Sequence, residues 1–201
     1  LDERRLSDGL VGERAIFKRR QEAPPEIGAP QMKPKRIRIV LDASASMYHM
    51  QFDGRLGREV ETAMMIMEAM KRVDPSRFAF DMVAHSGDTK VIPLIKLGQM
   101  PRTDGDRFRI LRDLVTHTRF CFSGDNTVEC IEQSVKDVRK EENDDYFVIA
   151  ISDANLARYH ITVDQLGHAL KSDDKVKSAI IFIDKGPEAV NAVKALPGRA
   201  F

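Results

Sequence analysis

Ile37-Arg38-Ile39-Val40-Leu41-Asp42-Ala43-Ser44-Ala45-Ser46-Met47 decides how this chain is read. Its first half is an apolar run of Ile37, Ile39, Val40 and Leu41, which suits a strand buried on both faces at the centre of a parallel sheet. Its second half sets three oxygen side chains, Asp42, Ser44 and Ser46, at alternate positions just past the strand end. The small residues Ala43 and Ala45 between them let the loop fold tightly and turn the three oxygens toward one point. One carboxylate with two hydroxyls is a hard-oxygen set suited to Mg²⁺, which keeps waters and leaves a position for an outside ligand. In an open α/β sheet, ligands bind in the crevice at the carboxyl ends of the strands.

Working outward, apolar periodicity predicts an alternation of helices and strands. A loop spans Met47 to Arg58, with the turn signal Asp53-Gly54. The helix over 58–72 carries Val60, Ala63, Met64, Met67 and Met70 at helical spacing, read as core facing the sheet. A second strand covers 78–84 and a short third covers 91–97, where Pro93 suits an edge. A helix over 104–117 is expected to turn Phe108, Leu111, Leu114 and Val115 inward. Helices over 127–139, 162–170 and 188–196 alternate with strands over 146–151 and 176–183. This βαβ alternation implies an α/β fold, a doubly wound, mostly parallel sheet flanked by helices. Residues 1–36, with Pro24-Pro25, Gly28, Pro30 and Pro34, read as an arm or linker, and 37–201 as the domain.

Asp-x-Ser-x-Ser after a buried strand resembles the opening of the metal-ion-dependent adhesion site of von Willebrand factor A domains. That resemblance implies a Thr on a later loop and an Asp after a middle strand. Thr127, in Ser123-Gly124-Asp125-Asn126-Thr127, and Asp153, in Ile149-Ala150-Ile151-Ser152-Asp153-Ala154-Asn155, stand in that order. It further implies a Mg²⁺ site, with Mn²⁺ as a substitute, built from Asp42, Ser44, Ser46, Thr127 and, through water, Asp153. A partner's Asp or Glu would complete the octahedron. The chain departs from the usual pattern at Ala45 and Ala154, where Gly is common, and Asp125 adds a carboxylate.

Further segments are similar to one member of the family, a mitochondrial AAA-type ATPase with this domain at its C-terminus. They are Asp8-Gly9-Leu10-Val11-Gly12-Glu13, Lys18-Arg19-Arg20, Lys33-Pro34-Lys35-Arg36, Asp53-Gly54-Arg55-Leu56, His85-Ser86-Gly87-Asp88 and Ser152-Asp153-Ala154-Asn155-Leu156. The resemblance therefore implies a mitochondrial address and a protein partner, with the AAA domains of the same protein as one candidate. A von Willebrand A domain would continue past Phe201 into one more strand and helix, and a chain opening at Leu1 reads as processed or partial. Both points are expectations of a fragment.

Composition narrows the alternatives. With 42% hydrophobic and 31% charged residues the chain reads as a soluble globular domain, and a net charge of +1 gives no global pull toward nucleic acid or anionic membrane. The basic patches Lys18-Arg19-Arg20 and Lys33 to Arg38 lack interleaved aromatics and read as a solvated arm. No apolar run is long enough to span a bilayer. Cys121 and Cys130 match no zinc or redox spacing and read as ordinary thiols of a reducing compartment. The acidic run Glu141 to Asp145 lacks calcium-loop spacing and reads as a solvated turn. His85, Ser86 and Asp88 are too close in sequence to act as a catalytic triad; His85 and Ser86 read as support for the metal loop. No Gly-x-x-x-x-Gly-Lys-Ser/Thr occurs, so this chain carries no P-loop ATPase. An Asp-based Mg²⁺ phosphatase needs a second Asp two residues past the first, where Ser44 stands. The alternatives left open are a binding module and a structural scaffold with a vestigial metal site.

Overall fold

The computed structural model describes residues 31–49, 54–184 and 186–201. Strand β1 (Lys35–Asp42) is followed by the one-turn helix α1 (Ala45–His49) and by α2 (Arg55–Lys71). Then come β2 (Phe78–His85), β3 (Ile92–Ile95), α3 (Asp104–Phe120), α4 (Thr127–Val138) and β4 (Tyr146–Ser152). A 3₁₀ turn at Ala157–Tyr159, α5 (Val163–Leu170), β5 (Val176–Phe182) and α6 (Pro187–Ala195) complete the order. The sheet among the described residues runs β3-β2-β1-β4-β5. β1 pairs in parallel with β2 and β4, β4 in parallel with β5, and β3 runs antiparallel at the edge. Beyond β5, Arg199 to Phe201 hydrogen-bond along its outer edge through a parallel bridge between Ile180 and Ala200.

Both faces of β1 are covered, as its continuous apolar run requires. Val40 faces a core with Ile131, Val135 and Val138 of α4, Leu166 and Leu170 of α5, and Ile180 of β5. Ile39 and Leu41 face the other core, with Ala63 and Met67 of α2, Leu114 of α3, and Phe80 and Met82 of β2. The methionine stripe of α2 therefore packs on the sheet, with Val60, Met64 and Met70 at its margin. The chain turns from β1 outward to β2 and β3, then returns to place β4 on the other side of β1. The carboxyl ends of β1 and β4 thus meet at the topological switch point.

Several expectations need correction. β1 opens at Lys35, and Arg36 and Arg38 are 3% and 8% exposed rather than part of a solvated basic patch. They share one carboxylate: Arg36 donates to Asp81 Oδ1 and Oδ2 at 3.1 and 2.7 Å, and Arg38 Nη2 donates to Oδ2 at 2.6 Å. Arg38 Nη1 also reaches Asp137 of α4 at 3.0 Å. The ion network, with two guanidiniums and two carboxylates, explains how β1 carries two arginines into the interior. The rest of the expected arm up to Pro30, including Lys18-Arg19-Arg20, lies outside the described residues.

On α3, Phe108 is 67% exposed, not inward; the buried stripe is Arg107, Leu114 and Thr118. Arg107 holds the inward position as an ion pair, with Nε 3.0 Å from Glu68 Oε1 of α2. The loop expected from Met47 to Arg58 contains the end of α1 and the first turn of α2. The acidic run is braced by cations and backbone: Asp144 accepts the Met32 and Lys33 N–H groups, and Lys35 and Lys177 pair with Asp145. Cys121 and Cys130 are free and buried, and burial pushes the Cys130 thiol up to about 12. Among the described residues no helix is long and apolar enough to cross a membrane.

Removing Asp81 strands Arg36 and Arg38 without a shared partner. Asp81→Ala is expected to lose about 3–5 kcal/mol in urea unfolding. A variant as stable as the parent would show that both arginines reach water instead.

Candidate metal centre

Asp42 ends β1 fully buried, and neutral groups hold its carboxylate. The Ser44 N–H donates to Oδ1 at 2.9 Å and the Ser152 hydroxyl donates to Oδ2 at 3.0 Å. The Asp42 N–H in turn donates to Glu59 Oε1 of α2 at 2.7 Å. Ser44 and Ser46 sit at the start of α1, buried, with their hydroxyl oxygens 3.0 Å apart. Ser46 also hydrogen-bonds the Asp153 carboxylate. Asp42, Ser44, Ser46 and Asp153 are therefore joined in one cluster of oxygens at the ends of β1 and β4.

Thr127 arrives from a third loop as the first residue of α4, directly after the cap residue Asn126. Its N–H and hydroxyl donate to Asp125 Oδ1 at 2.8 and 2.6 Å, and Oγ1 lies 3.2 Å from His85 Nε2. His85 is the register partner of Asp42 across β1 and β2, which links Thr127 to the cluster. Two glycines let these loops touch. A Cβ on Gly87 would stand 1.7 Å from the Ser123 carbonyl oxygen, and Gly124 has φ +92°. The Asn126 amide ties the contact by donating to the Ser86 and Gly87 carbonyls at 2.6 and 3.0 Å.

The electrostatics are those of buried negative charge. Burial pushes the Asp42 and Asp153 carboxyls up and the Glu59 carboxyl well up, and each is raised further by a neighbouring carboxylate. Around the cluster, Glu59 Oε2, His85 Nδ1 and Tyr159 Oη are buried and find no hydrogen-bond partner among the described residues. His85 Nδ1 is 3.4 Å from Asp125 Oδ1 without bonding geometry. Among the described residues no three His, Cys, Asp or Glu side chains converge as metal ligands. A cation here would lean on hydroxyls. The residues fit a small, hard cation that retains water: the donors are all oxygen, the carboxylate charge is buried, and orphaned polar atoms border the site.

No family model matches the chain. Mouse von Willebrand factor A domain-containing protein 8 is 43% identical over 204 residues, which is 100% of this chain and 11% of that protein. Among solved structures, von Willebrand factor type A from Catenulispora acidiphila superposes with TM-score 0.56 at 14% identity, over 83% of this chain and 37% of that one. Proximal thread matrix protein 1 from the mussel byssus gives TM-score 0.51 at 16% identity, over 84% and 39%. The chain has the von Willebrand factor A fold, and it spans about a tenth of the length of the curated relative it matches.

Two substitutions within the von Willebrand A pattern now have a physical account. Ala45 lies in α1 without positive φ, so it tolerates a side chain. Ala154 has φ +61°, where a Cβ costs about 1–2 kcal/mol, so the loop after Asp153 holds strain that Gly would relieve. Sequence reading missed Arg55, Glu59 and Ser152. Arg55 Nη1 donates to Asp153 Oδ2 at 2.6 Å. The signal for Glu59 was a charged residue on the inward stripe Glu59, Ala63, Met67 of α2.

The raised carboxyls predict a pH dependence. Their folded forms hold protons more tightly than their unfolded forms, so they cost stability at neutral pH and relieve that cost as pH falls. Asp74, Asp106, Asp137 and Asp145 are lowered and lose their contribution only below the ordinary carboxylate range, a separate window. In EDTA, Tm should therefore rise as pH falls from about 7 to about 5, and Glu59→Gln should flatten that rise. A Tm that falls over that interval in both proteins would contradict the assignment.

Proposed function

We propose that this domain is a Mg²⁺-dependent protein-binding module, with Mn²⁺ able to substitute, that grips a carboxylate of a partner. The observation that carries this reading is the meeting of three loops at the switch point. They carry Asp42, Ser44, Ser46 and Asp153, with Thr127 joined to them through His85, and the carboxylates of Asp42 and Asp153 are buried and repel each other. Mg²⁺ bound here supplies a Lewis-acidic position open to an outside oxygen ligand. Asp42 is the anionic anchor, oriented by Ser44 N–H and the Ser152 hydroxyl. Ser44, Ser46 and Thr127 offer neutral hydroxyls. Asp153, already engaged by Ser46, Arg55 and the Asn155 N–H, acts through water. The partner supplies an Asp or Glu.

The similarity to a protein far longer than this chain extends the proposal. The domain serves a larger AAA-type ATPase, in mitochondria, whose ATP hydrolysis resides in another segment, and the AAA domains of the same protein are one candidate partner. This domain itself is not the catalyst. A scaffold with a vestigial site is the second reading. One observation favours it: the Thr127 hydroxyl is turned to Asp125 and the two serine hydroxyls to each other, so part of the set is satisfied within the protein.

A pull-down from native extract with this domain separates the readings. Under the binding-module reading, a partner retained in Mg²⁺ is lost in EDTA and lost with Ser44→Ala plus Asp153→Ala. Retention under all three conditions would make the domain a scaffold.

A further inference from the structure

Resting on that metal reading, we infer that Arg55 is a resident counter-cation that sets the balance between metal affinity and partner affinity. The two central carboxylates of the site are treated differently by the protein. Among the described residues, the hydrogen-bond donors to Asp42 are neutral, the Ser44 N–H and the Ser152 hydroxyl among them. Asp153 receives a cation. Arg55 opens α2 and places Nη1 2.6 Å from Asp153 Oδ2, with side-chain exposures of 11% and 0%. The Asn155 N–H occupies Oδ1 at 3.0 Å, and Ser46 hydrogen-bonds the same carboxylate. Nη2 of Arg55 also lies 3.9 Å from Asp184 Oδ2 at the rim of a cavity of about 130 Å³.

The consequence is electrostatic. In a buried setting, opposite charges a few ångströms apart interact far more strongly than in water. With Asp153 neutralised, Asp42 is left as the site's anchoring negative charge that no guanidinium cancels. A dication held by Asp42 and hydroxyls then keeps more of its own charge, which is available to an incoming carboxylate. The same neutralisation weakens the hold on the dication itself. Arg55 thus lowers intrinsic metal affinity and raises the affinity of the loaded site for an anionic ligand.

The two effects have opposite signs, which makes the inference testable with simple probes. Mn²⁺ is titrated by calorimetry into the wild-type chain, Arg55→Met, Arg55→Gln and Arg55→Lys, each checked for fold by circular dichroism. Acetate, as a minimal carboxylate, is then titrated into the Mn²⁺-loaded proteins and followed by water-proton relaxation. Losing one unit charge beside the site should make Arg55→Met and Arg55→Gln bind Mn²⁺ at least about tenfold tighter and acetate severalfold more weakly. Arg55→Lys should stay close to wild type in both. Arg55→Gln keeps an N–H donor for Asp153, so it carries the test if Arg55→Met does not fold. Wild-type binding of Mn²⁺ with equal or weaker binding by Met and Gln variants overturns this inference alone. No Mn²⁺ uptake by any of the proteins overturns it together with the metal reading.

Discussion

Burial of the Asp42 carboxylate is the constraint on which the rest of this structure depends. A carboxylate taken out of water is costly unless it is hydrogen-bonded or paired. Here the central strand carries it to the switch point and offers it two neutral donors, from Ser44 and Ser152. Glu59 braces the Asp42 backbone from α2, and a second carboxylate, Asp153, stands nearby with Arg55 on it. The cluster is therefore short of positive charge at its centre and compensated at its edge. Under the proposed metal reading, a bound cation would supply the positive charge that the centre lacks.

The same strand solves the opposite problem at its other end. Arg36 and Arg38 enter the interior on the α4 side and are held by Asp81 of the neighbouring strand and Asp137 of α4. β1 thus carries cations near its start and an anion at its finish, with Val40 between them in the apolar core. Both sets of contacts reach across to β2: Asp81 takes the guanidiniums, and His85 sits beside Asp42 and holds Thr127. The backbone contact at Gly87 and Gly124 then fixes the third loop against the second.

Much of this was legible because the signals were local. An apolar run followed by alternating oxygens places Asp42, Ser44 and Ser46, and the buried strand over 146–151 leads directly into Asp153. The doubly wound architecture follows from alternating periods of hydrophobicity. What escaped was set by tertiary partners. Lys33 to Arg38 reads as a basic arm until Asp81 and Asp137, distant in sequence, are known to lie beside it. Phe108 reads as core until Arg107, with Glu68 opposite, takes the inward position. Arg55 looked like a loop residue because the turn signal at Asp53-Gly54 concealed how soon α2 begins. Glu59 was the one exception, a charge on an inward stripe that could have been noticed.

The proposed function requires that the three loops form one divalent-cation site anchored on Asp42. Anomalous diffraction from crystals grown in Mn²⁺ tests it most directly. A single strong peak is expected about 2 Å from the Asp42 carboxylate or the Ser44 and Ser46 hydroxyls, absent in Asp42→Ala crystals. A peak only elsewhere, such as on the acidic turn at Glu141 to Asp145, or no peak at saturating Mn²⁺, would contradict it.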